Sequence, residues 1–358
     1  MMDEQQFKDQ ILSASSNGSA LEIRGGGTKD WYGQAPQGTL IDTRAHSGII
    51  DYEPTELVIT ARCGTPLAEI EAALAERNQC FAFEPPHFGD SATVGGMVAS
   101  GLSGPSRQAV GGLRDFVLGV VMMDGKGDVL RFGGQVMKNV AGYDVSRLLT
   151  GSLGTLGLLL EVSVKVLPRP IAVSSRRFAV AETDALRWLN EWGGQPLPVS
   201  ASCWCDGVLT VRLSGAQAAV SAAEKKMGGE TLPDADIFWR SVREQTHAFF
   251  TSASAIWRLS VPSVTAKTSS LGLSGTTLIE WGGAQRWLIA DADVVADPLK
   301  IRAAASAVGG HATLYRGGDK SVGVFHPLAP AVARIHHNLK ATFDPAGIFN
   351  PGRMYPGL

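Results

Sequence analysis

Glycine-rich segments carry the candidate binding groups of this sequence. The first is RGGGTK, from Arg24 to Lys29. Its three consecutive glycines present successive backbone N–H groups with no side chains in the way, and such a nest suits an anion. Thr28 adds a hydroxyl group and Lys29 adds a cation. The loop is therefore either a phosphate-binding site or a flexible glycine turn. It matches neither the Rossmann nor the Walker pattern of glycines.

A second segment, ATVGGMVASGLSG from Ala92 to Gly104, consists mostly of small residues. Two explanations compete: a helix packed closely against its neighbours, and a backbone-lined groove for an extended, flat or phosphorylated ligand. Because each glycine inside a helix costs about 1 kcal/mol, the groove is favoured. The two remaining segments, GSLGTLG from Gly151 to Gly157 and NPGR from Asn350 to Arg353, carry little information by themselves.

Hydrophobic periodicity predicts the elements that must position these segments. A short helix is expected near residues 7–12, and a strand over 20–24 should run directly into the first glycine loop. Thr65 is expected to cap a helix whose first residue is Pro66. Further predictions are strands over 39–42, 48–52, 57–62 and 158–167, a hairpin of 116–123 with 128–132, and a helix over 144–149.

The sequence changes character after Pro168 and Pro170, where short strands and helices alternate and glycine clusters become rare. This pattern predicts helices on one face of an antiparallel sheet, an α+β layer domain. The expected elements are a hairpin over 200–213 turned at Asp206-Gly207, a helix over 216–227, strands over 256–261 and 278–290, and helices over 298–308 and 331–343.

Composition excludes several classes of protein. Of the 358 residues, 44% are hydrophobic and 18% are charged, so the chain can bury a core and is not intrinsically disordered. A net charge of -2 gives no attraction to nucleic acid or to an anionic membrane. No apolar run approaches the ~20 residues that span a bilayer. We therefore expect a cytoplasmic protein, with membrane attachment, if any, through a partner.

The spacing of the cysteines and histidines does not indicate a metal site or a redox site. The four cysteines form no C-x-x-C repeat, so we expect no iron–sulfur cluster ligated by this chain and no metal site. Cys203 and Cys205 should share one face of a strand as structural residues. The adjacent His336 and His337 would point about 100° apart on a helix. No catalytic base is named, and Arg107 either holds a carboxylate or pairs with a neighbour.

Taken together, these segments indicate a particular protein family more specifically than any one of them does. Two further motifs are KNVAGYD, from Lys138 to Asp144, and the DPxGxxNPG tail. With them, the chain resembles the vanillyl-alcohol-oxidase, or PCMH, type of FAD-binding protein over residues 20–170 and 342–353. Within that superfamily it resembles the FAD-binding subunits of bacterial glycolate oxidases. The resemblance implies a two-lobed FAD-binding domain over 1–170, with lobes of about 1–80 and 81–170. It also implies an α+β cap over 171–325 and a C-terminal helix and tail, 326–358, that return to the flavin domain.

The resemblance also implies which residues hold FAD. The pyrophosphate should lie on the first glycine loop, and Asn350 should approach the flavin from the tail. Some relatives attach FAD covalently through a histidine just after the first glycines, where this chain has Thr28; noncovalent FAD is therefore expected. The implied residues are Gly25, Gly26, Gly27, Thr28, Lys29, Asp30, Pro85, Gly89, Asp90, Ala92, Thr93, Gly95, Gly96, Ser100, Gly154, Val162 and Asn350.

The activity implied by the resemblance is oxidation of glycolate, a 2-hydroxy acid, to glyoxylate. Such a reaction needs a proton acceptor, a cation for the carboxylate and the flavin. The implied partners are a larger homologous flavoprotein subunit and an iron–sulfur subunit that receives the electrons. Two alternatives stay open: a self-sufficient dehydrogenase of a small 2-hydroxy acid such as lactate, and a flavoprotein scaffold without chemistry.

Overall fold

The computed structural model describes residues 4–134, 144–251, 255–290 and 297–358. The KNVAGYD motif therefore lies outside the described residues, except for Asp144. The chain divides into two compact units. Unit 1 contains Met1–Ser103, Gly111–Pro168 and Pro327–Leu358, and unit 2 contains Gly104–Val110 and Arg169–His326.

Unit 1 is built on an antiparallel sheet with the strand order β3-β4-β8-β6-β7. Two short pairs accompany this sheet, β1 with β2 in parallel and β5 with β9 antiparallel. The strands are β1 (Leu21–Arg24), β2 (Thr39–Asp42), β3 (Ile49–Glu53), β4 (Val58–Arg62), β5 (Gln79–Cys80), β6 (Val117–Met123), β7 (Val129–Gly133), β8 (Leu158–Lys165) and β9 (Leu167–Pro168). The predicted hairpin of 116–123 with 128–132 is confirmed as β6 and β7.

Helices cover this sheet, and its core forms where the two ends of the chain meet β8. Phe7 and Ile11 pack with Leu158, Leu160 and Phe349 in one buried cluster. Apolar residues four apart lie on one face of a helix, so the first helix presents a single stripe to the sheet. The helices of unit 1 are α1 (Glu4–Asn17), α2 (Leu67–Glu76), α3 (Val94–Ser100), α5 (Val145–Leu149) and α10 (Pro330–Phe343).

Two predictions about helices in unit 1 are wrong. The second helix begins at Leu67 with Pro66 as its N-cap. The Thr65 hydroxyl instead donates to the carbonyl oxygens of Arg62 and Gly48. The favoured groove over 92–104 contains the helix α3, capped by the Thr93 hydroxyl, which accepts a hydrogen bond from the Gly96 amide. Close packing overrides the poor helix propensity of glycine here.

Unit 2 is an eight-stranded antiparallel sheet with the order β13-β10-β12-β11-β15-β16-β14-β17. The first four of its strands follow the ferredoxin-like β-α-β-β-α-β pattern, and the last four repeat the same order with a 3-10 turn, Thr268–Leu271, in place of the first helix. The two halves meet where β11 pairs with β15. The strands are β10 (Ala172–Ala179), β11 (Val199–Cys205), β12 (Val208–Gly215), β13 (Glu230–Thr231), β14 (Ile256–Ser260), β15 (Gly275–Glu280), β16 (Gln285–Ala290) and β17 (His311–Arg316).

The helices of unit 2 lie over separate apolar clusters of its sheet. One cluster gathers Leu209, Val211 and Val220, and another gathers Trp257, Leu288 and Ile301. The helices are α4 (Arg107–Val110), α6 (Glu182–Gly193), α7 (Gln217–Met227), α8 (Ala235–Arg243) and α9 (Pro298–Ala307). The predicted α+β class, with an antiparallel sheet and helices, is confirmed.

No helix within the described ranges is long and apolar enough to span a membrane.

Candidate functional site

Two adjoining cavities of unit 1 open around the first glycine loop. The loop cavity, of about 90 Å³, is lined by residues 22–30 and by parts of α3 and the C-terminal tail. The inner cavity, of about 60 Å³, reaches toward Thr43, Cys63 and Leu159. Ile23, Leu153 and Asn350 line both cavities, so the two form one recess with a shared wall.

The structure brings most of the predicted site residues to this recess. Predicted residues lining the loop cavity are Gly25, Gly26, Gly27, Thr28, Lys29, Asp30, Thr93, Gly96, Ser100 and Asn350. Predicted residues lining the inner cavity are Gly25, Gly95, Gly96, Gly154 and Asn350.

Five predicted residues line neither cavity. Gly89 lies against the loop, because a Cβ built on it would be 3.1 Å from Thr28 Cγ2. Ala92 is buried, and its carbonyl accepts from the Leu67 amide at 2.8 Å. Pro85 is buried and Asp90 is exposed. Val162 is buried in β8, between Ala61 of β4 and Val120 of β6.

Close backbone approach explains the glycines of the first loop. A Cβ at Gly26 would overlap the Ser91 carbonyl oxygen, and a Cβ at Gly25 would overlap the Thr93 hydroxyl oxygen. Gly27 alone among the three needs a left-handed backbone, with φ of 72°. The loop is therefore pressed against the segment before α3 and could not carry side chains there.

The same loop presents amide groups that the protein leaves unused. Within the described residues, no hydrogen bond is donated by the backbone N–H of Gly25, Gly26, Gly27 or Thr28. These four residues are half-buried and line the loop cavity, so their amides are available to an acceptor bound in the cavity. Successive N–H groups in such a loop suit an anion such as a diphosphate.

The backbone amides at the start of α3, in contrast, already have acceptors within the protein. The amides of Val94 and Gly95 donate to the carbonyl oxygens of Thr65 and Cys63 at 2.9 and 2.7 Å. The amide of Gly96 donates to Thr93 Oγ1 at 3.2 Å. This helix therefore forms a wall of the recess rather than an anion site.

Cations lie beside the loop. Arg24 forms an ion pair with Asp30 at 2.5 Å. Lys29 Nζ lies 3.2 Å from the carbonyl oxygen of His87 and 5.5 Å from the ring centre of Phe88. Arg353 is 7% exposed and donates to the carbonyl oxygens of Asp30 and Gln34. Burial lowers the pKa of the Arg353 guanidinium, partly offset by Asp30 and Glu22. The side chains lining the loop cavity thus include three cations against two carboxylates, Glu22 and Asp30.

Asn350 joins three parts of unit 1. Its Oδ1 accepts from the Ile23 amide at 2.9 Å, and its Nδ2 donates to the Leu153 carbonyl at 2.7 Å. Its own amide donates to Leu21. A Cβ at Gly154 would lie 2.7 Å from Asn350 Nδ2. The side chain makes one hydrogen bond through its oxygen and one through its nitrogen, so it braces the walls of the recess.

A buried ion pair holds the tail that carries Asn350. Lys340 Nζ donates to Asp344 Oδ2 at 2.7 Å and to the carbonyl oxygens of Thr155 and Phe349, each at 2.8 Å. The Asp344 carboxylate also accepts from the amides of Ile348 and Phe349. Burial lowers the pKa of Lys340, and Asp344 offsets part of this effect. These contacts give a structural explanation for the residues of the DPxGxxNPG tail.

Sequence reasoning missed Arg353, Lys340 and Asp344 as supports of the site. The NPGR motif contained the signal for Arg353, because an arginine in the same turn as Asn350 reaches the same loop. The partners of Lys340 could not be found from spacing alone, since Thr155 lies 185 positions away.

The other candidate side chains have ordinary surroundings. Arg107 stacks over the Trp281 ring at 4.5 Å. Cys203 and Cys205 are free thiols, and burial raises the pKa of both, that of Cys205 to about 11. In the part of the chain that the structure describes, no group of three or more His, Cys, Asp or Glu residues could hold a metal ion.

Comparisons with known proteins identify the class. A family of FAD binding domains matches residues 2–133, so unit 1 carries a FAD-binding domain. The glycolate oxidase subunit GlcE of Escherichia coli is 48% identical over 354 residues, covering 99% of this chain and 98% of the relative. The chain belongs to the GlcE family of glycolate oxidase subunits, which confirms the resemblance.

More distant relatives share part of the chain. The glycolate oxidase subunit GlcD of Bacillus subtilis is 33% identical over 41% of this chain and 32% of its own length. A D-lactate dehydrogenase of Archaeoglobus fulgidus is 30% identical over 50% of this chain and 40% of its own length. A solved alkyldihydroxyacetonephosphate synthase has a TM-score of 0.67 at 16% identity, covering 97% of this chain and 74% of that one. This last likeness shows the fold alone.

Proposed function

We propose that this chain binds FAD noncovalently in the loop and inner cavities, as a subunit of a complex that oxidises glycolate to glyoxylate. The observation that carries the proposal is the run of unused amides from Gly25 to Thr28 at the mouth of the loop cavity. We also propose that the segments of unit 1 form a PCMH-type flavin domain and that residues 171–325 form its cap.

The residues present fit the diphosphate of FAD. The glycine loop would hold it with oriented amides, and Arg353 and Lys29 would add positive potential. Ser91 keeps the loop in place, because its hydroxyl donates to the Gly26 carbonyl at 2.8 Å. The narrower inner cavity, with Gly157 and Leu159 in its wall, would take the adenosine end.

The side chains around the recess support noncovalent attachment. A covalent link needs a nucleophile, and Thr28 stands where a linking histidine would be. Cys63 lines the inner cavity, but burial raises its pKa far above the usual range. The thiolate is the reactive form of cysteine, so Cys63 stays an unreactive thiol.

FAD, when bound, supplies a two-electron acceptor for the hydrogen on the hydroxyl-bearing carbon of a 2-hydroxy acid. The identity with GlcE supports a place in a glycolate oxidase. The similarity to GlcD supports a larger homologous flavoprotein subunit as a partner. We further propose that the electrons leave to an iron–sulfur subunit of the same complex.

The first experiment is the visible spectrum of the purified chain, with any released flavin identified after heat denaturation. Stoichiometric FAD that separates from the denatured chain supports the proposal, and FAD that stays attached to it contradicts the noncovalent mode. The Gly26→Ala variant should lose the flavin, because its Cβ would overlap Ser91. Gly193→Ala is the control, since a Cβ there meets nothing within 4 Å. A Gly26→Ala chain that purifies fully loaded would refute the loop assignment.

A second experiment addresses the complex. Anaerobic glycolate should bleach flavin in the assembled complex and leave the lone chain oxidised. Bleaching of the lone chain would favour a self-sufficient dehydrogenase. A complex that turns over at full rate with flavin-free Gly26→Ala would favour the scaffold.

A further inference from the structure

An acidic side chain lies in the wall of the loop cavity, beside the amides to which the proposed function assigns a diphosphate. Asp30 lines this cavity together with the glycine loop. A carboxylate at this place would weaken the binding of a diphosphate through the repulsion of like charges. The acid therefore needs an explanation, and the contacts of its carboxylate supply one.

The carboxylate of Asp30 holds the side chain of Arg24. Asp30 Oδ2 lies 2.5 Å from Arg24 Nη2. The two residues flank the segment GGGTK, so the ion pair joins the two ends of the loop. Glycine gives the unbound loop many conformations, and closing the loop removes part of them. The ion pair therefore restrains the loop before a ligand binds.

The ion pair also places the guanidinium of Arg24 against the middle of the loop. A Cβ built on Gly27 would lie 2.5 Å from Arg24 Nη2 and 2.9 Å from its Nε. Arg24 lines the loop cavity, and apart from the ion pair its guanidinium makes no hydrogen bond to the described residues. A guanidinium has five donors, so it can hold a carboxylate with one nitrogen and meet a phosphate oxygen with another.

The stability of the fold does not explain this ion pair. The side chains of Arg24 and Asp30 are 44% and 37% exposed, and ion pairs this exposed contribute little to stability. Asp42, whose pKa the charge of Arg24 also lowers, is already paired with Arg44 at 2.6 Å. The pair of Arg24 with Asp30 is better explained by the cavity that both residues line.

We propose that Arg24 binds the diphosphate of FAD and that Asp30 is a positioning residue, which holds the Arg24 guanidinium beside the Gly27 amide. The inference rests on the proposed function and adds to it a binding side chain and a reason for the acid. Because binding groups that are already in place bind more tightly, the Asp30 carboxylate strengthens flavin binding although its own charge opposes that of the diphosphate.

The test is a double-mutant cycle on the full chain as purified with its flavin. Release of FAD after dilution is followed by the change in flavin fluorescence. Arg24→Gln should release FAD about tenfold faster than the unchanged chain, and Asp30→Asn about twofold to tenfold faster. When Arg24→Gln is already present, adding Asp30→Asn should instead slow the release, because it then removes only a repulsion.

Two further measurements separate positioning from support of the fold. The phosphorus NMR resonances of bound FAD should shift in Arg24→Gln and in Asp30→Asn. The melting temperatures of the flavin-free variants should stay within about 2 °C of the unchanged chain. Asp184→Asn is the matched control, because it removes the carboxylate of a similarly exposed ion pair, with Arg187. It should change neither the release of FAD nor the phosphorus resonances.

The outcomes distinguish this inference from the proposed function. Slower release from Asp30→Asn alone would mean that the carboxylate competes with the diphosphate for Arg24. An equal effect of Asp30→Asn with and without Arg24→Gln would mean that the two residues act independently, and a clearly lower melting temperature of flavin-free Asp30→Asn would make the ion pair a support of the fold. Each of these results overturns the inference and leaves the proposed function standing. An unchanged chain that takes up no FAD contradicts the proposed function, and the inference fails with it.

Discussion

Replacing Lys340 by methionine tests how the C-terminal tail supports the flavin recess. Methionine retains much of the length and apolar body of the lysine chain but removes its ammonium group. The Asp344 carboxylate, whose side chain is 0% exposed, would then keep, among the residues that the structure describes, only the amides of Ile348 and Phe349 as donors. The carbonyl oxygens of Thr155 and Phe349 would also lose their contacts to Lys340.

The magnitude follows from this geometry. Breaking a buried ion pair by removing one partner costs about 3–5 kcal/mol, because an uncompensated charge remains. For a unit of this size, this corresponds to a melting temperature lowered by roughly 6–20 °C. Phe349 directly precedes Asn350, which braces Ile23 and Leu153, so bound flavin should be lost in the same transition.

Flavin fluorescence on heating is a suitable assay, because release of the flavin reports on unit 1. Tryptophans of unit 2, such as Trp257 and Trp287, serve as an internal reference. Arg334→Met is the matched control, an exposed cation on the same helix, and should change stability by about 0.5 kcal/mol or less. The double variant Lys340→Met/Asp344→Asn should recover part of the loss, because the uncompensated carboxylate is gone. Flavin release by Lys340→Met within about 2 °C of Arg334→Met would refute the reasoning.

Three further predictions concern the recess and its surroundings. Asn350→Asp should cost about 2–4 kcal/mol and reduce flavin retention, measured as the FAD bound per chain, because an oxygen would face the Leu153 carbonyl. Retention equal to that of the unchanged chain would contradict it. Burial lowers the pKa of His46 below its usual 6.5, so only the unfolded state takes up this proton as the pH first falls below about 6.5. Urea midpoints should fall toward pH 5, and His46→Leu should flatten this fall; an identical slope would exclude His46 as its source. Cys205, with a pKa of about 11, should react with iodoacetamide slowly at pH 8 and faster near pH 10, as mass spectrometry can follow. Fast labelling at pH 8, or a disulfide with Cys203, would contradict its structural role.

Local patterns were enough to predict many elements of this fold. The hairpin of β11 and β12 follows from Asp206-Gly207, whose φ values of 47° and 74° match a tight hairpin turn that few other residue pairs adopt. The helix α7 and the strands β6 and β7 follow from apolar periodicity. These signals lie within a few residues of the structure they determine, so they can be found without knowledge of the rest of the chain.

The helix α3 shows where local signals fail. Its glycines argue against a helix, yet Gly95 packs so closely on Cys63 that a Cβ would lie 2.8 Å from the Cys63 Cβ. Glycine is therefore favoured by a neighbour 32 positions earlier in the sequence, a contact that no propensity records. The helices α6 and α8 were also not predicted.

The candidate site likewise has one part that local sequence patterns predict and another that depends on contacts distant in sequence. The chemistry proposed for the glycine loop could be predicted from the residues alone, because three adjacent glycines expose backbone amides that suit an anion. The groups that complete the site could be identified only from the folded chain. Asn350 reaches Ile23 across 327 positions, and Arg353 reaches Asp30 across 323. Such contacts depend on how α10 and the tail pack against β1, and the burial that makes them strong exists only once the chain has folded.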